Sequence, residues 1–314
     1  MRPDAARAAP SRNAAPVPVA ADRDGVVPHL AELVALRGVA SRLPAARRGR
    51  VGLSGAAPSP LRGRGMEYAE SRGYVPGDDA RHIDWRVTAR TGHAHTKLFQ
   101  AERERLSLIV ADTSPALYFG TRIRFKSVQA ARVGAVAAWS AQRQGDRVAA
   151  LRGTHAEPAL APAGGSRGVL RVLDALVRWY TQPPKDDGGL DLALERAARL
   201  LRPGARLTVL ADPLAAAGIG AARWSALAMH HEVNVILLVD PLEVEPPAAR
   251  LAFQLDSSRL HVDLSRKAVR DAWDAAFLSP LQAVQQALAL RGVRVHVIRT
   301  DAPAESWLLG TRSP

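Results

Sequence analysis

Cysteine is absent from the 314-residue chain, which excludes disulfides, zinc–thiolate sites and a thiol nucleophile. Aromatic residues are scarce, at 5%, so Ala, Val and Leu must fill the core. Lysine is nearly missing as well: four of the 43 basic residues are Lys and the rest are Arg. No apolar run approaches the ~18–20 residues of a membrane-spanning helix. Residues 1–28 lack the apolar centre of a signal peptide and read as a disordered tail. A soluble, cytoplasmic protein is the expectation.

What is present is an ordinary globular composition, 47% apolar and 23% charged, long enough for one large core or two smaller ones. The net charge of +13 is uneven. Arg37, Arg42, Arg47, Arg48, Arg50, Arg62 and Arg64 fall in one segment without a single Asp or Glu. Such a basic patch suits nucleic acid or an acidic partner. It equally suits a mobile loop in an Arg-favouring chain, because the segment has no aromatic residue on which a base could stack.

Apolar periodicity predicts a short amphipathic helix in "VPHLAELVALRGVASRL", a Gly/Pro/Ser-rich loop after it, and a strand in "HAHTKLFQAERE". From residue 105 onward, short apolar runs alternate with helical patterns. "RLSLIVAD", "DRVAALRG", "RLTVLAD", "VNVILLVD" and "VRVHVIRTD" are strands, and "RLAFQLDSSRLHVDL" is a hairpin. A long Ala-rich helix ends at Gly145, and the last helical stretch is expected to bend or break at Pro280. This alternation implies an α/β fold with a doubly wound, mostly parallel sheet, preceded by an N-terminal β/loop platform.

Four strands end in Asp: Asp112, Asp212, Asp240 and Asp301. In an open parallel sheet those ends share the edge where ligands bind. Gathered carboxylates repel one another, and a hard cation relieves the repulsion. The competing explanation is that each Asp caps the next helix or starts a turn, which is favoured for Asp240 and Asp301. Asp112 differs in having the Ser114 hydroxyl two residues on.

The stretch "EYAESRGYVPGDDARHIDWRVTARTG" interleaves Glu67, Glu70, Asp78, Asp79 and Asp84 with Arg72, Arg81, Arg86 and Arg90. The pattern suits a closed network of Arg–carboxylate pairs. Pro76 and Gly77 suit the centre of a type II turn, and Trp85 is expected to be a buried anchor. Acid–base or metal chemistry by Asp78, Asp79, Asp84 and His82 is the alternative, but neighbouring arginines favour ionised carboxylates. His93 and His95 read as surface residues, Ser166 as a helix cap, and His230–His231 as a helix end.

Residues 62–126, from Arg64 and Gly65 through the charged stretch to "ADTSPALYFGTRIRFK", closely resemble the bacterial family called domain of unknown function 58. The resemblance implies a von Willebrand factor A-like domain over residues 104–300, a platform with its helix and basic loop over 29–103, and a tail from 301. It also implies a degenerate metal-ion-dependent adhesion site at Asp112, Ser114 and Asp212, which either holds Mg²⁺ or Mn²⁺ or keeps its fold without the ion. Ala116 stands where that site has a second Ser, no Thr occurs near "GGLDLALE", and Asp191 is the available substitute. The implied role is a non-enzymatic adaptor for a MoxR-type AAA+ ATPase, with other von Willebrand factor A-like proteins as further partners. Nucleic-acid binding through Arg42, Arg47, Arg48 and Arg50 is the alternative, and a metal-dependent hydrolase a remote one.

Overall fold

The computed structural model describes residues 25–42, 66–101, 105–255 and 258–309. Arg47, Arg48, Arg50, Arg62, Arg64 and Gly65 lie outside them. In chain order come α1 (Leu30–Arg42), β1 (Met66–Gly73), α2 (Trp85–Thr91), β2 (His95–Ala101), β3 (Leu106–Ala111) and α3 (Lys126–Arg143). Next are β4 (Arg147–Arg152), α4 (Gly165–Tyr180), α5 (Gly189–Leu200), β5 (Arg206–Ala211), α6 (Pro213–Ala217) and α7 (Ala221–His230). The chain continues through β6 (Glu232–Val239), α8 (Pro241–Val244), β7 (Arg250–Leu255), β8 (Ser258–Asp263), α9 (Lys267–Ala276), α10 (Leu278–Ala289) and β9 (Arg294–Arg299).

Five strands form a wholly parallel sheet in the order β4-β3-β5-β6-β9. Side chains alternate along each strand, so the sheet is apolar on both faces. Ile109 and Ala111 of β3 join the core beneath α1, α3 and α4. Leu108 and Val110 join the opposite core, beneath α5, α7 and α10. This is the helix-covered, doubly wound α/β arrangement expected from the alternating pattern.

Helix α3 is buried along almost its whole length, which explains its Ala-rich sequence. The sheet covers one side of it, and α1 covers another with Leu33, Leu36 and Ala40. Contact with α4 is close enough that a Cβ on Gly134 would sit 2.8 Å from Leu176 Cδ1. Trp139 Nε1 donates to the Leu33 carbonyl at 3.1 Å. Arg143 donates to the Ala40 and Ser41 carbonyls at 2.6 and 3.0 Å. Helix α1 is therefore a layer of the sandwich, although the sequence groups it with the platform. No helix among the described residues is long and apolar enough to cross a membrane.

Two local expectations need correction. The helical stretch breaks at Phe277, between α9 and α10, rather than at Pro280. Pro280 falls in the first turn of α10, where its missing N–H has no helical partner to lose. Ser166 is not a cap, since α4 begins at Gly165 and Gly164 takes the cap position. Gly165 has a positive φ, 65°, a conformation that glycine adopts without a Cβ penalty.

Candidate functional site

Sheet order sets the location. The chain passes from β3 outward to β4, then returns to β5 on the other flank of β3. The crevice at such a reversal, beyond the strand C-termini, is where open α/β sheets bind ligands. Asp112 follows β3 and Asp212 follows β5, so both stand at that reversal.

Asp112 is 1% exposed. Its Oδ1 accepts the Ser114 backbone N–H at 2.9 Å, and its Oδ2 accepts the Asp212 backbone N–H at 3.0 Å. Tyr180 Oη donates to the Asp112 carbonyl at 2.9 Å. Burial pushes the Asp112 carboxyl above its usual range, against the pull of those N–H donors. The Ser114 hydroxyl lies beside it, buried but short of full hydrogen-bond geometry.

Asp212 caps α6, its Oδ1 accepting the Leu214 N–H at 2.8 Å. Its Oδ2 accepts from Lys126 Nζ at 2.7 Å. The same ammonium donates to Glu243 Oε1 at 2.6 Å. Burial opposes the charge on Lys126, but Asp212 and Glu243 outweigh it and raise its pKa. Glu243 Oε2 accepts the Asp240 N–H at 2.8 Å in a capping box. Asp240, fully buried, accepts from Thr121 Oγ1 at 2.5 Å, Leu242 N–H at 3.0 Å and Thr300 Oγ1 at 2.8 Å. One polar chain thus links the ends of β3, β5, β6 and β9. Asp240 is a cap, as favoured from sequence, and Asp301 pairs with Arg299 at 3.0 Å.

Lys126 and Glu243 are the members that sequence reasoning missed. A signal existed for each: a rare lysine opening an apolar helix, and a Glu three residues after Asp240 in a capping pattern.

The residues fit a divalent ion poorly. Lys126 already sits on Asp212, and Ala116 supplies no oxygen at the second hydroxyl position. Thr113 Oγ1 donates to Asp187 Oδ1 at 3.0 Å. Asp191 does not reach the site, pairing instead with Arg223 at 2.8 Å. Among the described residues no group of three or more His, Cys, Asp or Glu could hold a metal ion.

A cavity of about 350 Å³ opens beside the network, lined by Lys126, Asp212 and Glu243 and walled by Phe119, Leu214, Phe253, Trp273 and Phe277. Trp273 lies between the two phenylalanines, with ring centroids 5.9 Å from Phe253 and 4.7 Å from Phe277. Its Nε1 donates to the Leu242 carbonyl at 3.1 Å. Leu214 and Leu260 on the lining remain 51% and 53% exposed.

The platform is an antiparallel pair, β1 with β2, enclosing a turn, a short 3-10 helix and α2. Asp78 N–H donates to the Val75 carbonyl at 3.0 Å, and Gly77 has φ 109°, as a type II turn over Pro76–Gly77 requires. Arg72 pairs with Asp78 at 2.7 Å. The other described acids serve as caps: Asp79 accepts from Arg81 N–H, and Asp84 from Val87 N–H and Ser71 Oγ. Arg81, Arg86 and Arg90 are exposed, and Glu67 and Glu70 lie on β1. Trp85, expected as a buried anchor, is 70% exposed at the first position of α2. A further Arg–carboxylate cluster stands at the N-terminal ends of the main sheet's strands. There Arg105 meets Asp146 and Glu232 at 3.2 and 2.9 Å, and Arg294 meets Glu232 at 2.7 Å. Of the basic segment, Arg37 lies over the Trp139 ring and Arg42 is in the last turn of α1.

Uncharacterized proteins of Mycobacterium bovis and of two Mycobacterium tuberculosis strains are each 34% identical to the chain over 190 residues. Those alignments cover 59% of this chain and 58% of each relative, so the chain spans little more than half the length of the curated relatives it matches. The family described as "protein of unknown function DUF58" matches residues 70–280, which take in both the charged platform and the Asp112–Asp212 edge. The chain belongs to the DUF58 family.

Proposed function

We propose that this protein is a non-enzymatic interaction module, with a von Willebrand factor A-like domain, that acts with a MoxR-type AAA+ ATPase in assembling or maturing other proteins. The ATPase comes from the family resemblance. The supporting observation is the coincidence, at the reversal point of the sheet, of an internally neutralised polar network and an apolar-walled cavity. An apolar recess with partly exposed leucines suits a partner's side chain. Carboxylates already occupied by an ammonium and by backbone N–H groups are poorly placed for acid–base work. The nucleic-acid alternative rests mostly on arginines outside the described residues.

The test is retention of an AAA+ ATPase, identified by mass spectrometry, from nuclease-treated native lysate. Wild type is compared with Leu214→Asp and Leu260→Asp, which alter exposed positions. Retention by wild type and loss in both variants is the expected result. Equal retention by all three moves the working surface away from the cavity. An absence of any AAA+ protein on wild type removes the adaptor reading.

A further inference from the structure

We infer that the Lys126 ammonium is the built-in cation of this sheet edge, filling the position that a divalent ion would otherwise take. Asp212 and Glu243 direct carboxylate oxygens at one point in the interior, with side chains 4% and 10% exposed. Two such groups cannot both stay ionised in a poorly solvated site unless a positive charge stands between them. A proton, a metal ion or an ammonium could supply it. Lys126 does so, 2.7 Å from one carboxylate and 2.6 Å from the other, with its own side chain 2% exposed.

Its position in the chain makes this possible. Lys126 is the first residue of α3, the helix lying directly beneath the sheet edge, and its N–H donates to the Phe119 carbonyl at 2.8 Å. The flexible four-carbon stem passes Phe119, whose ring centroid is 5.9 Å from Nζ. The compact ammonium can then serve two oxygens in different directions, which a planar guanidinium does less readily. In a chain that otherwise uses arginine for nearly all its positive charge, this geometry explains a lysine here.

The consequence is an edge that needs no metal to hold its shape. Because Lys126 is already matched by both carboxylates, its ammonium is not free to capture a partner's carboxylate. The inference stands on the geometry of Lys126 alone and is independent of the ATPase reading, which its test does not touch.

Mn²⁺ titration of the full chain, followed by the loss of the free-ion electron paramagnetic resonance signal, tests it directly. Wild type is expected to leave the signal free and to melt at the same temperature in chelator and in millimolar Mn²⁺. A stoichiometric bound ion in wild type overturns the inference. Lys126→Ala, which uncovers the two carboxylates, is expected to bind Mn²⁺ at least about tenfold more tightly than wild type and to melt higher when the ion is added. A folded Lys126→Ala that ignores Mn²⁺ also overturns it. Should Lys126→Ala fail to fold with or without the ion, the double change Lys126→Met with Glu243→Gln, which removes one charge and keeps the acceptor for the Asp240 N–H, decides. A folded double variant shows that the lysine was needed to neutralise its partners. An unfolded one shows that it was needed for something else and overturns the inference.

Discussion

The backbone N–H of Asp212 donates to the side chain of Asp112 at 3.0 Å, while the side chain of Asp212 turns away to Lys126. The first carboxylate therefore fastens β5 to β3, and the second fastens the edge to α3. Asp112 holds two buried N–H groups, those of Ser114 and Asp212. An asparagine has one carbonyl oxygen and must leave one of them facing its own NH₂ group. Asp112→Asn is expected to cost about 1–3 kcal/mol, read as a lower urea midpoint at neutral pH. An unchanged midpoint would show that the two strand ends do not depend on this acceptor pair.

Trp85 gives the opposite expectation. A tryptophan 70% exposed at the start of a seven-residue helix contributes little to folding, so Trp85→Ala should shift stability by no more than about 0.5 kcal/mol. Exposed tryptophans often anchor interfaces. The same variant should weaken retention of a partner that grips the platform, and calorimetry beside the pull-down separates the two effects.

Acid should destabilise the sandwich through its histidines. Burial lowers the pKa of His296, with repulsion from Arg294 adding to it. Burial and His230 lower that of His231. A depressed histidine pKa means that the unfolded chain takes up the proton first. Its contribution to stability is complete above about pH 6.5 and is lost as pH falls through the folded-state value. Asp112 and Glu243 act in the opposite sense, because burial raises both and protonation relieves them. The urea midpoint of wild type should fall between about pH 7 and pH 5.5, and His296→Gln should flatten that slope. A parallel slope in the variant would remove His296 as the cause.

The sheet was legible because its strands are short apolar runs closed by Asp or Gly, a pattern that few other folds produce. The site was only half legible for a physical reason. Asp112 and Ser114 are local to one strand end, whereas Lys126 meets partners 86 and 117 residues further along the chain. No local spacing encodes such a meeting. Helices α6 and α8 could have been read from Asp212–Pro213 and Asp240–Pro241, each an acidic cap followed by Pro at the first helical position. β1 could not, since "MEYAESRG" is too polar to stand out and becomes a strand through pairing with β2. Trp85 was misjudged because aromatic residues are usually buried, and a two-stranded platform offers little core to receive one.

The packing of α1 on α3 changes what the platform is. Helix α1 ends where Arg143 grips the carbonyls of Ala40 and Ser41. The chain re-enters the sandwich at Arg105, which donates to Gln144 at 3.1 Å. Departure and return thus meet at neighbouring residues of a single helix end. In chain order the platform falls between α1 and β3, both of which belong to the sandwich. Cutting the chain back from its N-terminus to remove the platform would also strip Leu33 and Leu36 from the core. Joining Arg42 to Arg105 through a short linker would instead remove the platform and leave α1 seated.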